Sequence, residues 1–148
     1  MALRDWLFYK KKGLQQRLTG TKLPSRTAPF IANPLSRDSE YAARATSDLG
    51  RMFFAHKGRS ITKWVDYLDL YHRHFSRFRG TPVRMLEIGV LNGGSLELWR
   101  KYFGSEAILY GIDINPECAS RVSAPNQVRI GSQDDPRSEE HTSELQSH

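Results

Sequence analysis

From Glu87 to Ser95 the chain reads Glu-Ile-Gly-Val-Leu-Asn-Gly-Gly-Ser. A strand-forming run, MLEIGV, leads into these glycines and a helix-like pattern follows them. The first turn of a helix leaves backbone N–H groups without partners. Those donors, with the positive end of the helix dipole, favour an anionic or carboxylate group. Gly89, Gly93 and Gly94 have no side chains, so a ligand can approach their backbone closely. Ser95 is placed to cap the helix or to donate to the ligand. Asp113 stands nineteen positions beyond Gly94, at the end of a second strand-like run, AILYGIDI. In nucleotide-binding α/β sheets an acid about 20 residues on accepts bonds from ribose hydroxyls. Without a ligand, the same glycines would serve tight packing of strand against helix.

The type of nucleotide follows from two positions. A dinucleotide fingerprint, G-x-G-x-x-G, needs its second glycine two residues after the first. Counted from Gly89, that position is Leu91. Glu87 adds a carboxylate within the strand just before the turn. It suits a ligand that carries an ammonium group and repels a pyrophosphate.

These residues need a parallel sheet to hold them. VRMLEIGV, AILYGIDI and QVRIGS read as strands, with GSLELWRKYFG and NPECASRVSAP as the helical connections. Leu96, Trp99, Tyr102 and Phe103 face inward, and Gly104 stops the first helix. Strand and helix alternating in this way give an α/β fold with a doubly wound, Rossmann-like parallel sheet. Upstream, a helix is expected over about Ser39 to Phe54, with Tyr41, Ala45, Leu49, Met52 and Phe53 on its apolar face. A second helix carries Trp64, Tyr67, Leu68, Tyr71, Phe75 and Phe78 at steps of three and four, a stripe that reads as core packing. His72 and His74 read as structural or solvated, not as metal ligands, and no metal site is expected. GTKLPSRTAPFIANPLSRD reads as a linker or surface loop, and Leu3, Trp6, Leu7, Leu14 and Leu18 share one helical face before it.

The formal net charge is +6, and before position 38 eight basic residues face only Asp5. This arm reads as a solvated extension, because no base-reading motif accompanies it and nucleic-acid binding is not expected. A transit-type leader is the lesser alternative. No apolar run approaches the ~20 residues of a membrane span. The lone cysteine, Cys118, excludes an internal disulfide and points to a reducing compartment, hence to the cytoplasm.

VRMLEIGVLNGGSLELWRKYFG followed by ILYGIDINPEC resembles class I S-adenosylmethionine-dependent methyltransferases, in the branch of macrocin O-methyltransferase-like and related sugar O-methyltransferases. The resemblance runs from about Leu49 to Pro136 and includes HKGRSITKWVDYLDLYHRHF, which looks like the family's helical lead-in. It implies S-adenosylmethionine as cofactor and a small-molecule or sugar hydroxyl as methyl acceptor. It also implies that Glu87, Gly89, Gly93, Gly94 and Ser95 surround the methionine portion, that Asp113 binds the ribose, and that Ile114 lies against the adenine. Ser132, Gln133 and Asp134 are implied as polar contacts to adenine, Gln133 and Asp134 foremost. The loop around Lys57 and Lys63 would close over the cofactor. For the complete enzyme the resemblance implies a divalent metal such as magnesium and a homo-oligomer.

The chain departs from that pattern after its third strand. The family's sheet has about seven strands, and its Asp-Asp-Gly-Ser-His-like segment, which looks like a source of metal ligand and base, has no counterpart here. Instead Arg137 to Gln146 matches, residue for residue, the translation of a common sequencing-library adapter, AGA TCG GAA GAG CAC ACG TCT GAA CTC CAG. The expected organisation is a basic arm and linker (1–38), a helical lead-in (39–80), the first half of the methyltransferase domain (81–136) and an adapter-derived tail (137–148). Without the tail the formal charge is about +8. On this expectation the catalytic residues lie outside the chain, MLEIGV is an open, aggregation-prone edge, and the chain by itself is inactive. A nicotinamide-dependent oxidoreductase and a non-enzymatic interaction module are the competing readings.

Overall fold

In the computed structural model, residues 30–33, 40–43, 45–132 and 134–135 are described. Three parallel strands form the sheet that the glycine turn belongs to: β3 (Arg84–Ile88), β4 (Ile108–Asp113) and β5 (Gln127–Ile130). Their order is β3-β4-β5, with Leu86 opposite Tyr110 and Gly111 opposite Val128. The connections are α4 (Gly94–Phe103) and α5 (Glu117–Arg121). This is the α/β, Rossmann-like arrangement expected from the strand–helix alternation, and β3 lies at one edge of the three-stranded sheet.

The apolar spacing of α4 decides which face it buries. Leu96, Leu98, Trp99, Tyr102 and Phe103 are all buried. At the other end of the helix, the Gly104 N–H bonds to the Arg100 carbonyl at 3.0 Å and the chain turns away with φ at +104°. The Arg100 guanidinium reaches past that terminus to the Ser105 carbonyl at 3.0 Å and to Asn126 Oδ1, also at 3.0 Å. It thereby satisfies carbonyls beyond the helix end and ties α4 to the entrance of β5.

Over α4 lies α3 (Val65–Phe75), followed by a short 3₁₀ turn, Ser76–Phe78. Its stripe is core packing, as expected. Leu68 is buried, and Tyr71 and Phe75 set their rings 5.7 and 6.0 Å from Trp99. Phe103 stacks on the same indole at 5.5 Å. Aromatic pairs of this kind contribute about 0.5–1.5 kcal/mol each beyond their buried area, so the cluster fastens the lead-in to the sheet domain. His72 joins it through Nδ1, 2.8 Å from the Tyr102 hydroxyl.

Three local expectations are corrected. The helix foreseen over Ser39–Phe54 is two pieces, α1 (Glu40–Ala43) and α2 (Asp48–Ala55). Ser47 separates them: it is extended, and its hydroxyl accepts the Gly50 N–H at 3.1 Å, an N-cap that starts a new helix. The segment read as a loop contributes β1 (Phe30–Asn33), which pairs antiparallel with β2 (Ile61–Trp64). Trp64, assigned to the helical stripe, is the last residue of β2 and is exposed. Ile61 and Thr62 are β-branched and favour the strand, and Pro29 and Pro34 bracket its partner. The helical face around Leu3 to Leu18 and the tail 137–148 lie outside the described residues.

Candidate functional site

The parallel order brings the carboxyl ends of β3, β4 and β5 to one edge, where ligands of such sheets bind. Gly89 leaves β3 with φ at +81°, a conformation that costs glycine little, and it is exposed. Its N–H still bonds across to the Ile112 carbonyl at 2.8 Å. The Gly131 N–H bonds in the same way to the Asp113 carbonyl at 2.9 Å, so the exit of β5 is held beside that of β4.

Asp113 organises the turn itself. Its Oδ2 accepts the N–H groups of Val90 and Leu91 at 2.7 and 2.9 Å, and Oδ1 accepts that of Asn115 at 2.9 Å. The Cys118 thiol donates to the same carboxylate. Burial pushes the Asp113 carboxyl upward, but the three backbone donors together with the Cys118 thiol outweigh it and hold the group below its ordinary value. Burial, then the bond to Asp113, pushes the Cys118 thiol upward. Leu91 has φ at +56°, rare for a residue with a side chain. The bond from its N–H to Asp113 compensates for that strain and leaves the leucine side chain exposed beside the turn.

The start of α4 is covered by the lead-in. The Asn92 side chain accepts the Gly94 N–H at 3.1 Å and donates to Ser60 Oγ at 2.8 Å. A Cβ on Gly94 would collide with the carbonyl oxygens of Ser60 and Arg59, the latter at 2.7 Å. Glu97 Oε2, in the first turn of α4, accepts the Arg59 N–H at 3.1 Å and lies 3.4 Å from Nε2 of the buried His56. His56 in turn bonds to the Arg59 carbonyl at 3.0 Å. The segment from His56 to Ser60 is therefore clamped onto the helix N-terminus.

β2 continues from that clamp and carries Lys63 towards β3. Its ammonium lies 2.9 Å from Oε1 of Glu87, a side chain only 5% exposed. Oε2 of Glu87 is buried with no hydrogen-bond partner among the described residues. A carboxylate left half-satisfied in this way is costly, and an incoming ammonium would satisfy it.

No family model matches the chain. Curated proteins do. One is the 8-demethyl-8-(2-methoxy-α-L-rhamnosyl)-tetracenomycin-C 3′-O-methyltransferase of Streptomyces olivaceus, 35% identical over 101 residues, which are 64% of this chain and 25% of that protein. Another is the demethylmacrocin O-methyltransferase of Streptomyces fradiae, 36% identical over 73 residues, 45% of this chain and 18% of that one. The MycE methyltransferase of the mycinamycin pathway, solved with Mg, SAH and mycinamycin VI, superposes with a TM-score of 0.52 at 26% identity, over 66% of this chain and 24% of that one. Over these matched stretches the chain is similar to sugar O-methyltransferases. It spans about a quarter or less of the length of the curated relatives it matches.

The residues singled out by sequence do not all gather in one place. Glu87, Gly89, Asp113 and the 75%-exposed Ile114 gather at the strand ends. Asp134 is exposed just beyond β5, and its N–H bonds to Ser132 Oγ at 3.3 Å. Gln133 lies outside the described residues. Gly93 and Gly94 are buried, Gly93 against Val122 and Gly94 beneath the lead-in, so at Gly94 the close backbone approach is made by the chain itself. Ser95 does not cap α4: Gly93 holds the N-cap position with φ at +84°, and the Asn92 side chain takes the Gly94 N–H. Lys57 is exposed, whereas Lys63 reaches the site. The spacing reading overlooked Asn92 and Ser60. An Asx residue just before a glycine-started helix is the one local signal that could have found the first of them.

Proposed function

We propose that this chain holds S-adenosylmethionine and forms the cofactor side of an O-methyltransferase that acts on a sugar hydroxyl of a small molecule. The observation that carries this reading is the buried carboxylate of Glu87, with one oxygen unpartnered, two residues before the exposed Gly89. It complements the α-ammonium of a methionyl group and repels a pyrophosphate. Leu91, in place of a second glycine, also disfavours a dinucleotide. When bound, the cofactor supplies a methyl on a sulfonium, open to in-line attack by a hydroxyl oxygen. Around it, Glu87 would orient the methionyl end, Ile114 would cover the adenine, and Asp134 with Gln133 would contact its polar edge. Asp113 already accepts three backbone N–H bonds. A ribose hydroxyl that donates to it shares or replaces one of them, which couples cofactor binding to the shape of the glycine turn.

Magnesium accompanies SAH in the structure of the mycinamycin enzyme. Among the described residues no three His, Cys, Asp or Glu side chains form a metal site. No described helix is long and apolar enough to cross a membrane. The single cysteine, a buried free thiol, accords with work in the cytoplasm. Calorimetric titration with S-adenosylhomocysteine and with NAD tests the proposal. S-adenosylhomocysteine is expected to bind, and Glu87→Gln to weaken it by about tenfold or more, the scale of one charge-assisted hydrogen bond. Binding of NAD without S-adenosylhomocysteine would establish the oxidoreductase reading instead.

A further inference from the structure

We infer that Lys63 and Glu87 together read the head group of an α-amino acid, with Lys63 taking the α-carboxylate of the cofactor's methionyl end while Glu87 takes the α-ammonium. This rests on the cofactor reading above and adds to it a residue from outside the glycine turn. An ammonium has three donors, and one hydrogen bond of Lys63 to a protein group is observed, to Glu87 Oε1 at 2.9 Å. The lysine side chain keeps 16% of its surface exposed against 5% for Glu87, so it forms the outer member of the pair. The two charges cancel, yet one acceptor oxygen stays unsatisfied. A neutral pair with a spare acceptor on one side and spare donors on the other is the complement of a zwitterion.

Electrostatics require the second partner. Every α-ammonium comes with a carboxylate about two bonds away, and Glu87 alone would repel it at a few ångströms, where the energy is largest. Lys63 reverses that sign. Its placement is also rigid, because β2 is paired with β1, Lys63 opposite Ile31, and strand-borne groups hold their geometry better than loop-borne ones. Stability alone is a poor account of the pair. Burying two charges costs desolvation that their attraction seldom repays, least of all with an oxygen left unpaired.

Two ligands separate the halves of the head group: S-adenosylhomocysteine and its analogue lacking the α-carboxylate, S-adenosyl-thiopropylamine. Calorimetry on the full chain should show the first binding about tenfold or more tighter than the second. Lys63→Met should abolish that preference and leave the analogue's affinity within about twofold. Lys63→Gln keeps a neutral donor for Glu87 Oε1 and guards against loss of the fold; it should lose the preference as well. Equal weakening of both ligands would make the pair a structural tie and overturn the inference. Unchanged or tighter binding of S-adenosylhomocysteine by Lys63→Met would also overturn it. A wild-type chain that binds neither ligand refutes the cofactor reading, and this inference with it. A wild-type chain that binds both equally refutes only the role of Lys63.

Discussion

Gly94→Ala gives the sharpest test of how the lead-in seats on the helix N-terminus. The added Cβ would lie 2.7 Å from the Arg59 carbonyl oxygen and closer still to that of Ser60. Both are backbone atoms, so the segment must move as a body. Its retreat stretches the Asn92–Ser60 bond at 2.8 Å and the Arg59–Glu97 bond at 3.1 Å. At about 1 kcal/mol each, with about 1–3 kcal/mol for overpacking and up to about 1 kcal/mol regained from alanine's helix propensity, the variant should lose about 2–4 kcal/mol. Urea unfolding followed by far-ultraviolet circular dichroism would record this as a midpoint lowered by roughly 1–2 M. Gly80→Ala is the control. No atom lies within 4 Å of its Cβ, and only its φ of +69° opposes the change, at about 1–2 kcal/mol. A Gly94→Ala protein as stable as wild type, or less affected than Gly80→Ala, would refute the seating of Arg59 and Ser60 over this helix.

Burial, opposed by Arg79 and assisted by Asp48, raises the Tyr102 hydroxyl from 10.0 to about 12. A raised folded value means that the protonated phenol favours the native state, so stability should fall as pH rises from 10 to about 12, read by ultraviolet tyrosinate absorbance alongside circular dichroism; Tyr102→Phe should remove that dependence. Asp113 lies below its ordinary value of 3.8, so it contributes stability above that pH and loses it as pH falls through the folded value. Asp113→Asn should destabilise the chain at neutral pH and flatten its acid unfolding curve, and an unchanged acid limb would refute the role given to the turn bonds. Cys118 is 1% exposed and its thiol is raised by burial; it should resist a disulfide reagent at pH 8 until urea unfolds the chain, and prompt labelling of native protein would contradict this.

The strand–helix–strand half of the fold was legible because its signals are local. Glycines end β3, Gly104 ends α4, and Leu96, Trp99 and Phe103 repeat at helical steps within one element. The β1–β2 pair was not legible. Each strand has four residues, and their register joins Phe30 to Trp64 across thirty-odd residues of chain, a pairing that no local period encodes. Trp64 misled because its spacing to Leu68 and Tyr71 is helical although it stands one residue before the helix begins. At the site, spacing located Asp113 but gave no sign that its carboxylate was already engaged by the turn. Ser95 had the chemistry of a cap two positions past the N-cap, and Asn92 took the task. The Lys63–Glu87 contact comes from a residue of β2, so it follows from the strand pair that sequence did not reveal.

The indole of Trp99 sits among four aromatic rings while that of Trp64 stands 41% exposed, next in sequence to Lys63. The two should emit differently, a buried fluorophore towards the blue and a wet one towards the red. Once the third tryptophan, Trp6, is replaced by Phe, excitation at the red edge favours the neighbour of the ion pair, and the blue emission follows the junction of α3 with α4. With Trp64 replaced by Phe, the difference spectrum would separate an event at the ligand edge from loosening of the interior, in one cuvette and without an attached dye.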